Sequence, residues 1–122
     1  MDTHNQSAAN RLRIIEDARR KPRFKIIVDI KIISKTCGVL KGHTVDLSES
    51  GLAAMLTIEV PVGEIVELEF TLPFGKVLLY AVVRQRNAFR YGFQFIDPSV
   101  ARKALHATCR HLEVEQALLG EL

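Results

Sequence analysis

The sequence predicts a mainly β protein, a six-stranded antiparallel β-barrel followed by a C-terminal α-helix. Three observations lead there. Between Arg23 and Ile96 apolar residues alternate with polar ones at period two, the spacing of half-buried strands. Glycine- and proline-based turn signals separate these runs at regular intervals, with no helical pattern between them. After Asp97-Pro98 the period changes to that of a helix.

The elements follow in order. Residues 1–10 are polar and lack both an apolar run and a cluster of cations, which argues against a signal peptide and predicts a disordered tail. Asn10 to Arg20 reads as a short helix with Leu12 and Ile15 on one side, ended by Pro22, which pushes Lys21 out of the helical region. Residues 11–97 form the barrel with its basic leading segment. In the first strand Phe24, Ile26, Val28, Ile30 and Ile32 share one face. A Lys35–Gly38 turn leads to a strand near Val39–Val45, and the next runs from Leu52 to Ile58. Pro61-Val62-Gly63 is a turn signal. Val66, Leu68, Phe70 and Leu72 then point inward from a clean alternation. Lys76–Arg86 is apolar on both faces, which predicts a central strand. Phe89–Ile96 carries Tyr91, Phe93 and Phe95 on one side, as core residues. Residues 98–122 are the helix, with Asp97 as its capping side chain, Pro98 at its first position, and a stripe of Ala101, Leu105, Thr108, Leu112 and Leu119.

At 122 residues the chain is one domain, and its 48% apolar and 25% charged content is that of a soluble globular protein. The longest apolar run, Val77–Val83, is too short to cross a bilayer, so a cytoplasmic protein without membrane insertion is expected. Charge is unevenly spread. Arg11, Arg13, Arg19, Arg20, Lys21, Arg23 and Lys25 crowd one stretch, while Glu113, Glu115 and Glu121 make the C-terminus acidic. A local basic cluster on a chain of net charge +3 points to a discrete anion site rather than a broad nucleic-acid surface.

Enzymatic and metal chemistry find little support. Cys37 and Cys109 lack metal-type spacing and read as reduced thiols. On a helix His106 and Cys109 share a face, but His111 points elsewhere. HExxH, GxSxG and P-loop motifs are absent from the sequence. Ser48 and Ser50 have only His43 nearby as a base, and nothing sets Asp46 and Glu49 up as a buried pair with divided pKa values. The aromatic strand Arg90–Phe95 has a faint likeness to an RNA-recognition module, which needs helices between its strands that this sequence does not provide.

Two short motifs carry the functional information. Arg19-Arg20-Lys21-Pro22-Arg23 places arginines four residues apart with more cation between them. Planar guanidinium forks grip phosphate oxygens, pair with guanine O6 and N7, and stack on purine faces. Asp46-Leu47-Ser48-Glu49-Ser50-Gly51 supplies a carboxylate that can accept from guanine N–H groups, a hydroxyl, and a turn glycine. The plain readings are a solvated basic segment whose arginines pair with Glu16, Asp17 or Glu49, and a simple Asx or Ser turn.

Taken together the motifs resemble the RxxxR and DxSxxG signatures of the PilZ family, bacterial receptors for cyclic di-GMP. The resemblance extends along most of the chain, through the Pro61–Gly63 turn and the Gly92-Phe93-Gln94-Phe95 strand. It implies a non-enzymatic receptor that binds cyclic di-GMP and passes on its occupancy by a change of shape or through an unidentified downstream protein. Arg19, Arg20 and Arg23 would clamp phosphates and guanines, Asp46 and Ser48 would orient one guanine, and Gly51, in a left-handed conformation, would open the loop. No cofactor beyond that ligand and no nucleic-acid partner is implied; a monomer and a homodimer both fit. Ala18 stands where a further arginine could hold a second stacked nucleotide, which favours one ligand per chain. Two other readings stay open: a PilZ-like protein-interaction module without nucleotide binding, and a small basic barrel for single-stranded nucleic acid.

Overall fold

A computed structural model of the chain describes residues 21–120. The expected N-terminal tail, the Asn10–Arg20 helix, Arg19 and Arg20 lie outside the described residues. Seven strands follow: β1 (Phe24–Lys25), β2 (Asp29–Ser34), β3 (Gly38–Leu47), β4 (Gly51–Met55), β5 (Ile65–Leu72), β6 (Gly75–Asn87) and β7 (Arg90–Ile96). A 3₁₀ turn, Pro98–Ala101, leads into α1 (Arg102–Gly120). Strands β3, β2, β5, β6, β7 and β4 neighbour one another in that order, and pairing of β4 with β3 closes a six-stranded antiparallel barrel. Closure removes the exposed sheet edges that would otherwise invite pairing with other chains. β1 is an extra short strand beside the end of β3.

The alternation seen in the sequence fills the barrel. Val66, Leu68, Phe70 and Leu72 from β5 are buried, as are Tyr91, Phe93 and Phe95 from β7. Leu56 and Val60 follow β4 and are buried too; the Tyr91 hydroxyl accepts from the Val60 amide at 3.1 Å. The strand expected to reach Ile58 therefore stops at Met55, because the chain leaves the ladder and Leu56 donates instead to the Phe89 carbonyl at 2.9 Å.

Three other expectations need correction. The single strand expected from Phe24 to Ile32 is broken between β1 and β2. There the buried Thr44 side chain takes over the ladder, accepting from the Val28 amide at 2.9 Å and donating to the Ile26 carbonyl. β6 pairs on both edges but is not covered on both faces, since Leu78 and Tyr80 on its outer face are exposed. Asp97 does not cap a helix through its side chain. Its backbone is left-handed, φ 49°, and its carboxylate accepts from the Ser99 hydroxyl.

Helix α1 packs on β1, β5 and β6. Ala104, Leu105, Thr108, Cys109 and Leu112 form its buried face, while Leu119, expected on the same stripe, lies exposed beyond the barrel. Among the described residues no helix is long and apolar enough to cross a membrane. At one end of the barrel the Glu64 carboxylate gathers the β2–β3 turn, accepting from Ser34, from Thr36 at 2.7 Å and from the Lys35 amide at 3.2 Å. The Ser34 hydrogen bond, followed by that of Thr36, holds its pKa below the ordinary value of 4.5.

Candidate functional site

The site is created by two breaks in strand register. Along β3, Leu40 and Thr44 point inward, so strict alternation would bury position 46. Val45 is an extra residue: Thr44 pairs with Ala54 and Asp46 already with Ala53. This bulge shifts the phase, so Leu47 is buried and Asp46 turns outward. The same happens on β6. Val77, Leu79, Ala81 and Val83 are buried, then Arg84 is inserted between the Val83–Phe93 and Gln85–Gly92 pairs, and Gln85 turns outward.

The outcome is a row of directly opposed residues across four strands: Asp46 on β3, Ala53 on β4, Gly92 on β7 and Gln85 on β6. The two middle members are small, so the row has a low floor between polar ends. It lies in a cleft of about 350 Å³ whose walls include Arg23, Arg86, Asn87 and Arg90. A smaller hollow of about 220 Å³, sharing Arg23, Gln85 and Gly92, extends it toward Ser50, Arg84 and Gln94.

Asp46 is the electrostatic centre. One Arg23 nitrogen donates to its Oδ1 at 2.7 Å, and one Arg90 nitrogen donates to its Oδ2 at 2.9 Å. The Asp46 side chain is 14% exposed, against 50% and 52% for the arginines, so one sheltered carboxylate holds two solvent-facing guanidinium groups. Arg86 pairs with Glu59 at 3.2 Å, and the Arg84 Nε donates to the Gln94 carboxamide oxygen.

The loop after β3 contains the Ser turn of the plain reading. The Ser48 hydroxyl is buried; it accepts from the Ser50 and Gly51 amides, both at 3.2 Å, and lies 3.2 Å from the Ser50 hydroxyl. The Ser48 amide donates to the Gly51 carbonyl at 2.8 Å. The Ser48 side chain thus fastens its own turn. Gly51 is not left-handed, in contrast to the expectation: the positive-φ glycines among the described residues are Gly38, Gly63 and Gly75. Glycine is required there because a Cβ would collide with the Phe93 carbonyl oxygen, where β4 is pressed against β7.

Arg23 therefore meets Asp46 across the two motifs. Glu49 is turned to His106 on α1 at 3.4 Å, and His43 sits opposite Met55, away from the cleft lining. Cys109 is buried behind this loop. Burial pushes its thiol pKa up to about 11, with Glu49 and Glu113 raising it further and Lys21 opposing them. Among the described residues no three His, Cys, Asp or Glu side chains are grouped to hold a metal ion.

Arg90, Gln85, Ala53 and Gly92 were not named as site residues from sequence. Signals exist for Gln85 and Gly92. Arg84-Gln85-Arg86-Asn87 breaks the period-two pattern of an otherwise apolar strand, which is what a bulge does. Gly92 stands between two buried aromatics, and glycine inside a strand marks a close approach.

Residues 17–110 match the family model of the PilZ domain. The chain belongs to the PilZ domain family. Solved PilZ structures share its fold at low identity. The PilZ domain of Escherichia coli YcgR with c-di-GMP superposes with a TM-score of 0.64 at 18% identity, covering 84% of this chain and 96% of that one. The YcgR–c-di-GMP complex gives 0.67 at 21% identity, over 84% of this chain and 49% of that one. The K. pneumonia MrkH–c-di-GMP complex gives 0.66 at 16% identity, over 80% of this chain and 52% of that one. This PilZ chain thus spans about half the length of the YcgR and MrkH chains in those two complexes. No curated protein matches it in sequence.

Proposed function

We propose that this PilZ domain is a non-enzymatic receptor for cyclic di-GMP, working in the cytoplasm, with the ligand lying across the row Asp46–Ala53–Gly92–Gln85. One observation carries the reading: two solvent-facing arginines converge on a single sheltered carboxylate beside a floor of small residues. The geometry suits a guanine nucleotide. A carboxylate has about four lone-pair sites, and the two arginine bonds occupy two of them. The others can accept from guanine N1–H and N2–H₂. Among the described residues Arg23 and Arg90 each keep further N–H groups for phosphate oxygens or for guanine O6 and N7. Ala53 and Gly92 let a flat ring approach the sheet. The cleft lies within the roughly 300–1,000 Å³ typical of small-molecule sites.

Arg19 and Arg20 join the site through sequence. They belong to the same RxxxR motif as Arg23, and the described chain starts after them, at Lys21. Ser48 serves by fixing the loop, and Gly51 by letting it close on β7. The relatives named above are seen with c-di-GMP. Occupancy then passes to a partner protein through a change at this face.

Calorimetric titration tests the reading. Cyclic di-GMP should give saturable binding near one ligand per chain, and GMP, GTP and a short oligonucleotide should give none at the same concentrations. Oligonucleotide binding that falls steeply with salt, with no preference for the cyclic dinucleotide, would overturn it.

A further inference from the structure

The two segments that carry the motifs are both held by one helix. His106, near the start of α1, lies 3.4 Å from Glu49 in the loop that follows Asp46. Gln116, further along, reaches Lys25 in β1, two residues after Arg23. Its carboxamide nitrogen donates to the Lys25 carbonyl at 2.7 Å, and its carboxamide oxygen accepts from the Lys25 amide at 3.3 Å. A side-chain amide pairing with both groups of one peptide residue imitates a strand neighbour. β1 has only two residues in its ladder with β3, so this pairing is a large share of what holds it.

Burial along α1 singles out the same residue. Past Leu112 the described helix is exposed at every position except Gln116, which is half-buried. The apolar packing of the helix therefore ends about one turn before Gln116, and the carboxamide is what fastens its second half. Lys25 is also the register partner of Asp46. The place of Lys25 on β3 thus sets how Arg23 meets the Asp46 carboxylate.

We infer that Gln116 is a positioning residue for the nucleotide site: by pairing with the backbone of Lys25 it fixes Arg23 over Asp46 and makes the second half of α1 the element that registers occupancy. The inference rests on the proposed cyclic di-GMP site. It gives α1 a function beyond core packing, because Gln116 lies past Leu112, the last buried residue of the helix. When a ligand engages Arg23 over Asp46, any shift of β1 is passed to the pair of neutral hydrogen bonds that join Lys25 to the helix.

A double-mutant cycle tests this. Gln116→Met keeps length and helix propensity but removes both hydrogen bonds; Gln116→Glu keeps the acceptor and loses the donor. In the full chain, Gln116→Met should weaken cyclic di-GMP binding about 5- to 10-fold, with Gln116→Glu weakened as well, while the thermal midpoint without ligand barely moves. In an Arg23→Ala background the Gln116→Met effect should vanish, since Gln116 acts through Arg23. An equal loss in both backgrounds would mean a structural role only and overturn the inference, as would wild-type affinity in Gln116→Met. Should Gln116→Met fail to fold, the Gln116→Glu and Arg23→Ala cycle gives the same decision. If the parent itself does not bind cyclic di-GMP, the receptor reading fails and the inference with it; if the parent binds and the cycle shows no coupling, the inference alone fails.

Discussion

Two of the concave faces of this barrel differ in how their charges are arranged. The face built on β2, β3 and β5 encloses about 650 Å³ and is lined by Asp29, Lys31, Lys41 and Glu69. Its strands run in unbroken register, and Lys31 stands between Lys41 and Glu69, the latter pairing with Lys76 at 3.2 Å. The face built on β3, β4, β7 and β6 is smaller, at about 350 Å³, yet two bulges interrupt it and two arginines share one carboxylate. Of these two the first is the larger. Register breaks and an excess of cation choose the second, because bulges re-aim side chains and two guanidinium groups on one carboxylate leave net positive charge for an anion among the described residues.

The largest effects should come from breaking the centre of the second face. Arg23→Ala should lower cyclic di-GMP affinity about 30- to 150-fold, the loss of about 2–3 kcal/mol expected for charge-assisted contacts. Asp46→Ala should lower it comparably while leaving weak, salt-sensitive binding of any polyanion, since base readout goes and the cations stay. Calorimetry at two salt concentrations, with a thermal melt on the same samples, separates this from a collapsed loop.

Two glycines on the same face should then part company. At Gly92 an added Cβ meets the Gln85 side chain at 2.9 Å, and that flexible side chain can move. Gly92→Ala should therefore fold with stability within about 1 kcal/mol of the parent and bind about 10-fold more weakly, because the floor is raised. At Gly51 the obstacle is the Phe93 backbone carbonyl, which cannot give way. Gly51→Ala should lose about 1–3 kcal/mol of folding stability in chemical denaturation.

The smallest effects on binding should come from the first face and the barrel end. Lys31→Ala and Lys41→Ala should each change cyclic di-GMP affinity by less than about 2-fold, because both line the first face and neither lines the cleft around Asp46. Glu64 should affect stability but not binding. Its folded pKa lies below 4.5, chiefly through the Ser34 hydrogen bond, so it contributes stability above its unfolded pKa that is lost as pH falls through the folded value. Denaturation midpoints measured from neutral pH downward should show Glu64→Gln losing less than the parent once pH passes below 4.5.

Most of the barrel was legible because burial and period two coincide, as in the inward residues of β5 and β7. The motif residues were legible as chemistry, but their geometry was not. A bulge inserts one residue, and Thr44-Val45-Asp46 reads as continued alternation unless the partner strand is known. For the same reason Arg90 carried no signal: it stands alone at a hairpin and gains meaning only from Asp46, 44 positions away in sequence. Gly51 was correctly seen as necessary but for the wrong cause, since a close backbone approach and a positive φ both demand glycine. The broken first strand reflects Thr44 taking over ladder bonds, a tertiary event that alternation does not record.

The most direct test compares the two faces in one experiment. Amide chemical shifts of the full chain, followed by heteronuclear NMR during titration with cyclic di-GMP, should move most at Ala53, Gly92, Gln85 and Arg90, with shifts reaching Lys25, and stay nearly constant at Lys31, Lys41 and Glu69. Shifts concentrated on the Lys31–Lys41–Glu69 face, with the Asp46–Gln85 row unmoved at saturation, would contradict the account.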